Sequence, residues 1–119
     1  MTPFGEEIRR YRKKRGISQK KMAQDLEVSP AYLSALEHGH RGAPSWALVQ
    51  KIIRYFDIIW DEAEVLEQLA RLSHPRIIVD TSGLHPNATK LVNELARKIK
   101  KLPEDRIEKL LQTLNETNS

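Results

Sequence analysis

Residues 18–45 read S-Q-K-K-M-A-Q-D-L-E-V-S-P-A-Y-L-S-A-L-E-H-G-H-R-G-A-P-S. Serines punctuate this stretch at the places where helices begin. Ser18 is positioned to cap a short helix whose apolar side is Met22, Ala23 and Leu26. Ser29 followed by Pro30 is an N-cap with proline at the first helical position, where the missing N–H costs nothing. That helix, 29–37, turns Leu33 and Leu36 inward, and Gly39 supplies a left-handed stop. Only Glu27 and Val28 separate the two helices, and a basic loop follows them. A compact pair of this kind is how many proteins lay one helix in the major groove of DNA.

Working outward, Phe4, Ile8 and Tyr11 fall at helical spacing and Gly16 follows as a stop. Downstream, Pro44-Ser45 opens a helix whose Val49, Ile52, Ile53 and Phe56 follow the i, i+3, i+4, i+7 pattern of a core face. A fifth helix is expected from Asp57 or Ile59 to Leu72, burying Val65, Leu66, Leu69 and Ala70. Its acidic first turns (Asp57, Asp61, Glu62, Glu64) suit a helix N-terminus. The pattern changes at Ser73-His74-Pro75. R-I-I-V-D, residues 76–80, is a short β-branched run, either one strand or an extended linker, and Ser82-Gly83 signals a turn. Pro86 opens a sixth helix to about Lys101. Its Val92, Leu95, Ile99 and Leu102 are spaced 3, 4, 3, which is an a/d seam. Pro103 resets the chain, a seventh helix carries Ile107, Leu110, Leu111 and Leu114, and N-E-T-N-S ends the sequence as a polar tail. The expected architecture is all-α: a five-helix domain over 1–72 and a helical extension over 73–119.

The composition narrows the function. The chain has no Cys, which excludes disulfide scaffolds, thiol nucleophiles and Cys-based zinc sites. M-T-P-F-G-E-E carries no basic, then apolar, leader pattern, and no apolar run nears the ~18–20 residues of a membrane span. A soluble, cytoplasmic protein without a membrane partner is the expectation. Residues 1–56 hold 11 Lys/Arg against 5 Asp/Glu, whereas residues 57–119 hold 9 against 11. The basic half favours a polyanion. The four histidines are scattered, and no Ser-His-Asp or Cys-His arrangement is visible, so no enzyme, cofactor or metal is expected. His38-Gly39-His40 invites a metal reading, but two histidines lack the further ligands a metal requires.

The run I-R-R-Y-R-K-K-R-G-I-S-Q-K-K-M-A-Q-D-L-E-V-S-P-A-Y-L-S-A-L-E-H-G resembles the Xre/Cro-type (lambda-repressor-like) helix–turn–helix family of phage repressors and bacterial regulators. The likeness covers roughly residues 4–57. It rests on an Arg in helix one, S-Q-x-x-x-A opening helix two, V-S-x-x-x-L-S-x-L-E-x-G in helix three, and the following P-S. The resemblance implies double-stranded DNA as partner. It gives Gln19 the role of clamping a backbone phosphate at a helix N-terminus, which suits the positive potential there. It pairs Arg12 with Glu37 in a largely buried salt bridge; the alternative is two independent surface charges. It places Ser29, Pro30, Ala31, Tyr32, Ser34 and Ala35 toward the bases, with Tyr32 equally able to lie flat as core. The loop with His38, His40 and Arg41 would grip phosphates, Arg41 best of all because guanidinium matches phosphate geometry. Lys20 and Lys21 lie near the expected contact edge, whereas Arg9, Arg10, Lys13, Lys14 and Arg15 occupy several faces of helix one.

Two departures stand out. Glu27 occupies the turn where the family usually has Gly, and a non-Gly residue at positive φ costs about 1 kcal/mol. The loop from Gly39 to Pro44 is one residue longer than the family pattern. Because such proteins often bind as two-fold dimers, the seam of Val92, Leu95, Ile99 and Leu102 reads as a dimerisation surface; an intrachain hairpin is its alternative. The resemblance thus implies a transcriptional regulator, a repressor on a pseudo-palindromic operator. A second class is an antitoxin or interaction module whose C-terminal helices bind a partner protein. RNA binding is weaker, because the seven aromatics look mostly structural.

Overall fold

The computed structural model describes residues 1–116. All regular structure among them is helical: α1 Pro3–Lys14, α2 Gln19–Asp25, α3 Pro30–His38, α4 Trp46–Tyr55, α5 Trp60–Arg71, α6 Pro86–Lys98 and α7 Glu104–Glu116. A single 3-10 turn, Ile99–Lys101, extends α6 to the expected end. No helix among the described residues is long and apolar enough to cross a membrane.

The serine signals act as caps. Ser18, Ser29 and Ser45 accept hydrogen bonds from the backbone N–H of Lys21, Tyr32 and Leu48. Each satisfies a donor that the first helical turn leaves without a partner. Gly39 closes α3 at φ 84°, and His40 N–H returns to Ala35 C=O at 2.8 Å. Glu27 turns the chain between α2 and α3 at φ 61°, so the strained turn expected from the missing glycine is present.

The chain divides into two units, Met1–Ile77 and Ile78–Ser119. In the first, α1 packs on α3 and α5, α2 on α3, and α4 on α5. Phe4, Ile8, Met22, Leu33, Ile52 and Leu66 are fully buried at the centre of its core. The first unit runs past residue 72 because Ser73 is only 2% exposed. Its hydroxyl accepts the Phe4 N–H at 2.9 Å and donates to Leu69 C=O at 2.5 Å, tying the end of α5 to the start of α1.

α1 and α3 meet backbone to backbone. Thr2 caps α1 through Gly5 N–H and donates its own N–H to Glu37 C=O at 3.0 Å. A Cβ at Gly5 would lie 2.1 Å from that same carbonyl oxygen, so only glycine permits the approach.

Two expectations change, and one open alternative is decided. Val65 is 50% exposed and Leu69 half-buried, so α5 buries only Leu66 and Ala70; four consecutive-turn positions span too wide an arc for one face. Residues 76–80 form no strand: Ile77, Ile78 and Val79 are exposed, and the run is an extended linker. Asn115 and Glu116 belong to α7 rather than to a tail, while 117–119 lie outside the described residues.

The second unit begins with an Asp80–Ser82 turn, in which Ser82 N–H donates to the Asp80 carboxylate at 2.9 Å; the Ser82 side chain first, and then this N–H, hold the Asp80 pKa below the ordinary value. His85 caps α6 by accepting the Asn87 N–H at 2.9 Å through Nδ1, and Pro86 stands at the first helical position. Neither α6 nor α7 contains a buried residue.

Candidate nucleic-acid interface

α3 is fixed in place by what it buries. Leu33 and Leu36 enter the core at 0% and 1% exposure, and Glu37 follows at 1%. A carboxylate taken out of water needs a partner. Arg12, itself 9% exposed, supplies it: one guanidinium nitrogen, Nη2, donates to both carboxylate oxygens at 3.2 Å. The pair joins α1 to α3, and the independent-surface-charge alternative is excluded by burial. Arg12 Nε is buried without a hydrogen-bond partner among the described residues.

Gln19 adds a third member. Its Nε2 donates to Glu37 Oε1 at 3.0 Å. The amide nitrogen carries two N–H donors, so one ties α2 to α3 and the other remains at the N-terminus of α2. There the helix end presents further N–H groups and positive potential. Gln19 is half-buried and Lys20 exposed beside it. Lys21 is drawn back along α2 into an ion pair with Asp25 at 3.1 Å.

The opposite side of α3 is left open. Ser29, Pro30 and Ala31 are exposed, and Ser34 and Ala35 are half-buried. The hydroxyl of Ser29 accepts the Tyr32 N–H as a cap, which uses one of its two acceptor lone pairs. Tyr32 is half-buried and packs against the core, so its ring lies on the structural side. Arg41 rests its guanidinium 6.0 Å from that ring. His38 and His40 stack at 6.3 Å, and His38 Nδ1 lies 2.9 Å from Ser34 C=O. No cluster of three His, Cys, Asp or Glu suited to a metal occurs among the described residues. The C-terminal end of α3 therefore carries His38, His40 and exposed Arg41 in one short loop.

The structure also sorts the basic residues of α1. Arg15 donates to Phe56 C=O at 2.5 Å and lies 5.7 Å from the Phe56 ring, closing the C-terminal end of α4. Arg10 pairs with Glu7 and covers the Tyr11 ring. Lys51 on α4 donates to Leu26 C=O at 3.1 Å and closes α2 in the same way. Arg15 and Lys51 satisfy helix carbonyls and are spent on the fold. The partners of these two lie 41 and 25 residues away, so no local spacing signals them.

Val92 and Leu102 are half-buried in the second unit, and Leu95 and Ile99 are 40% and 41% exposed. Trp46 and Trp60, in contrast to the other five aromatics, are 63% and 82% exposed. Size alone does not place an aromatic ring in a core.

A family model described as helix-turn-helix matches residues 8–61. Over 40 residues the chain is 48% identical to the HTH-type transcriptional regulator RamB of Mycobacterium tuberculosis, in two strains; the match covers 34% of this chain and 8% of that protein. Over 52 residues it is 35% identical to the uncharacterized HTH-type transcriptional regulator RghRB of Bacillus subtilis, covering 44% of this chain and 37% of the relative. The matched part thus spans well under half the length of either relative. No solved structure matches the chain.

Proposed function

We propose that this chain, whose residues 8–61 belong to the Xre/Cro-like helix-turn-helix family, is a sequence-specific DNA-binding transcriptional regulator. In this reading it is a repressor that binds a pseudo-palindromic operator as a homodimer. α3 of each copy enters the major groove, with the two half-sites about 34 Å apart. The observation that carries the reading is the Arg12–Glu37–Gln19 cluster, which fixes α3 from behind and leaves its small-residue face open. Phosphates would be held by the second N–H of Gln19, the α2 terminus, Lys20 and the Arg41 loop.

The open face contains no Arg, Lys, Gln or Asn for bidentate base contacts, each worth ~1–3 kcal/mol of discrimination. Pro30, Ala31 and Ala35 suit thymine methyl groups and a close approach to the groove floor. Sequence preference would then come from methyl contacts, Ser34, bridging water and DNA shape. A genome-wide map of bound sites tests this. An enriched two-fold motif is expected, and Ala31→Gln should change its bases. Absence of any enriched motif would overturn the reading.

The exposed apolar face of α6 and α7 also supports a second reading, in which those helices hold a different protein and the first unit regulates the pair's own expression. Co-purification of the chain with a product encoded beside it would favour that reading.

A further inference from the structure

The second unit leaves its apolar side in water. Leu91, Leu95, Ile99, Leu110, Leu111 and Leu114 are between 40% and 63% exposed. α6 and α7 are joined through Leu102 and Pro103 and do not pack along one another. A segment of this size cannot be stable with two amphipathic helices uncovered, so both faces require an occupant.

The charges say which surface fits which. Pro86–Lys101 carries five cations and one carboxylate; Glu104–Glu116 carries four carboxylates and two cations. Glu94, the sole carboxylate of the first segment, is already held by Arg97 at 3.3 Å and Lys98 at 3.0 Å. Lys90, Lys100 and Lys101 have no ion pair among the described residues. Two α6 helices brought face to face would set cations against cations. An α6 facing an α7 sets opposite signs beside matching apolar faces, and opposite signs across an interface fix the choice of partner and register.

We propose that the occupant is a second copy of this chain, joined by reciprocal exchange, with α6 of each copy lying on α7 of the other. The inference rests on the homodimer reading above and specifies its pairing. Four helices then share one core, and each copy contributes one basic and one acidic helix to it.

Two full-length variants test the exchange. One makes α6 acidic (Arg97→Glu, Lys98→Glu, Lys101→Glu). The other makes α7 basic (Glu104→Lys, Asp105→Lys, Glu108→Lys). Light scattering should give a dimer for the natural chain and a monomer for each variant alone. An equimolar mixture should recover the dimeric mass, because both helix pairings then join opposite signs. If the α7 variant stays dimeric while the α6 variant does not, the homodimer stands and the α6-to-α7 exchange falls. If the natural chain is monomeric, the homodimer and the exchange fall together. A measurement on the natural sequence guards against misfolded variants: carbodiimide cross-linking of mixed light and heavy isotope-labelled chains. Lys98 and Lys90 should join α7 carboxylates in mixed light–heavy peptides. Cross-links confined to single-isotope peptides would overturn the exchange.

Discussion

Glu37 is where three helices meet, because Arg12 reaches it from α1 and Gln19 from α2. Removing one partner of a buried pair leaves an uncompensated charge, at a cost on the order of 3–5 kcal/mol. Arg12→Ala should therefore lower the denaturation midpoint by several kcal/mol of stability, and an unchanged midpoint would contradict the burial argument. This pair was legible in the sequence through the family motif. The tie from Gln19 to Glu37 was not, since the motif assigns the glutamine outward and only packing reveals the inward donor.

Tyr55 gives a pH signature of its own. Its hydroxyl donates to Asp25 at 2.6 Å. Burial first, and then that hydrogen bond, push its pKa up to about 12. A raised folded-state pKa favours the protonated form, so its contribution is fully present below the unfolded value of about 10. It is lost as pH rises through about 12. Tyr55→Phe should flatten the alkaline fall in stability between those limits and remove the latest step from a tyrosinate absorbance titration. Asp25 moves the opposite way: the hydrogen bonds from Tyr55 and Lys21 lower its pKa, so its contribution is lost as pH falls below the ordinary carboxylate range.

At the scale of elements, the helix starts were readable because Ser18, Ser29 and Ser45 obey local capping chemistry. The α1–α3 approach was not readable, because Gly5 carries no local signal in the middle of a helical pattern. Gly5→Ala would place a methyl inside the Glu37 carbonyl. Overpacking of this kind costs about 1–3 kcal/mol or more, and a thermal melt within error of the natural chain would refute the contact. The α2–α3 turn runs the other way. Glu27→Gly should stabilise the domain by up to about 1 kcal/mol, because glycine adopts positive φ without a Cβ penalty. Glu27→Ala should not, which separates the backbone effect from the loss of the side chain. The run Arg76–Asp80 shows the limit of propensity: β-branched residues favour a strand only where another strand is available to pair.

For the molecule as a whole, charge and burial divide the work. The first unit carries a complete core, with a basic edge at the α2 terminus and the Arg41 loop. The second unit keeps its apolar residues exposed and has no buried residue in either α-helix. Composition set the basic half apart, because eleven cations fall in residues 1–56. It could not foretell how many of those cations close helix ends within the fold, as Arg15 and Lys51 do. In the proposed reading, the second N–H of Gln19, Lys20 and Arg41 contact phosphate, aided by the helix termini.

The most direct test is the salt dependence of duplex DNA binding by the full chain, followed by fluorescence anisotropy on a bound site and on random sequence. Log affinity should fall linearly with log salt, and the bound site should outcompete the random duplex. Arg41→Ala should weaken both duplexes about equally and reduce the slope by about one. Binding that ignores salt, or that fails to distinguish the two duplexes, would contradict the account.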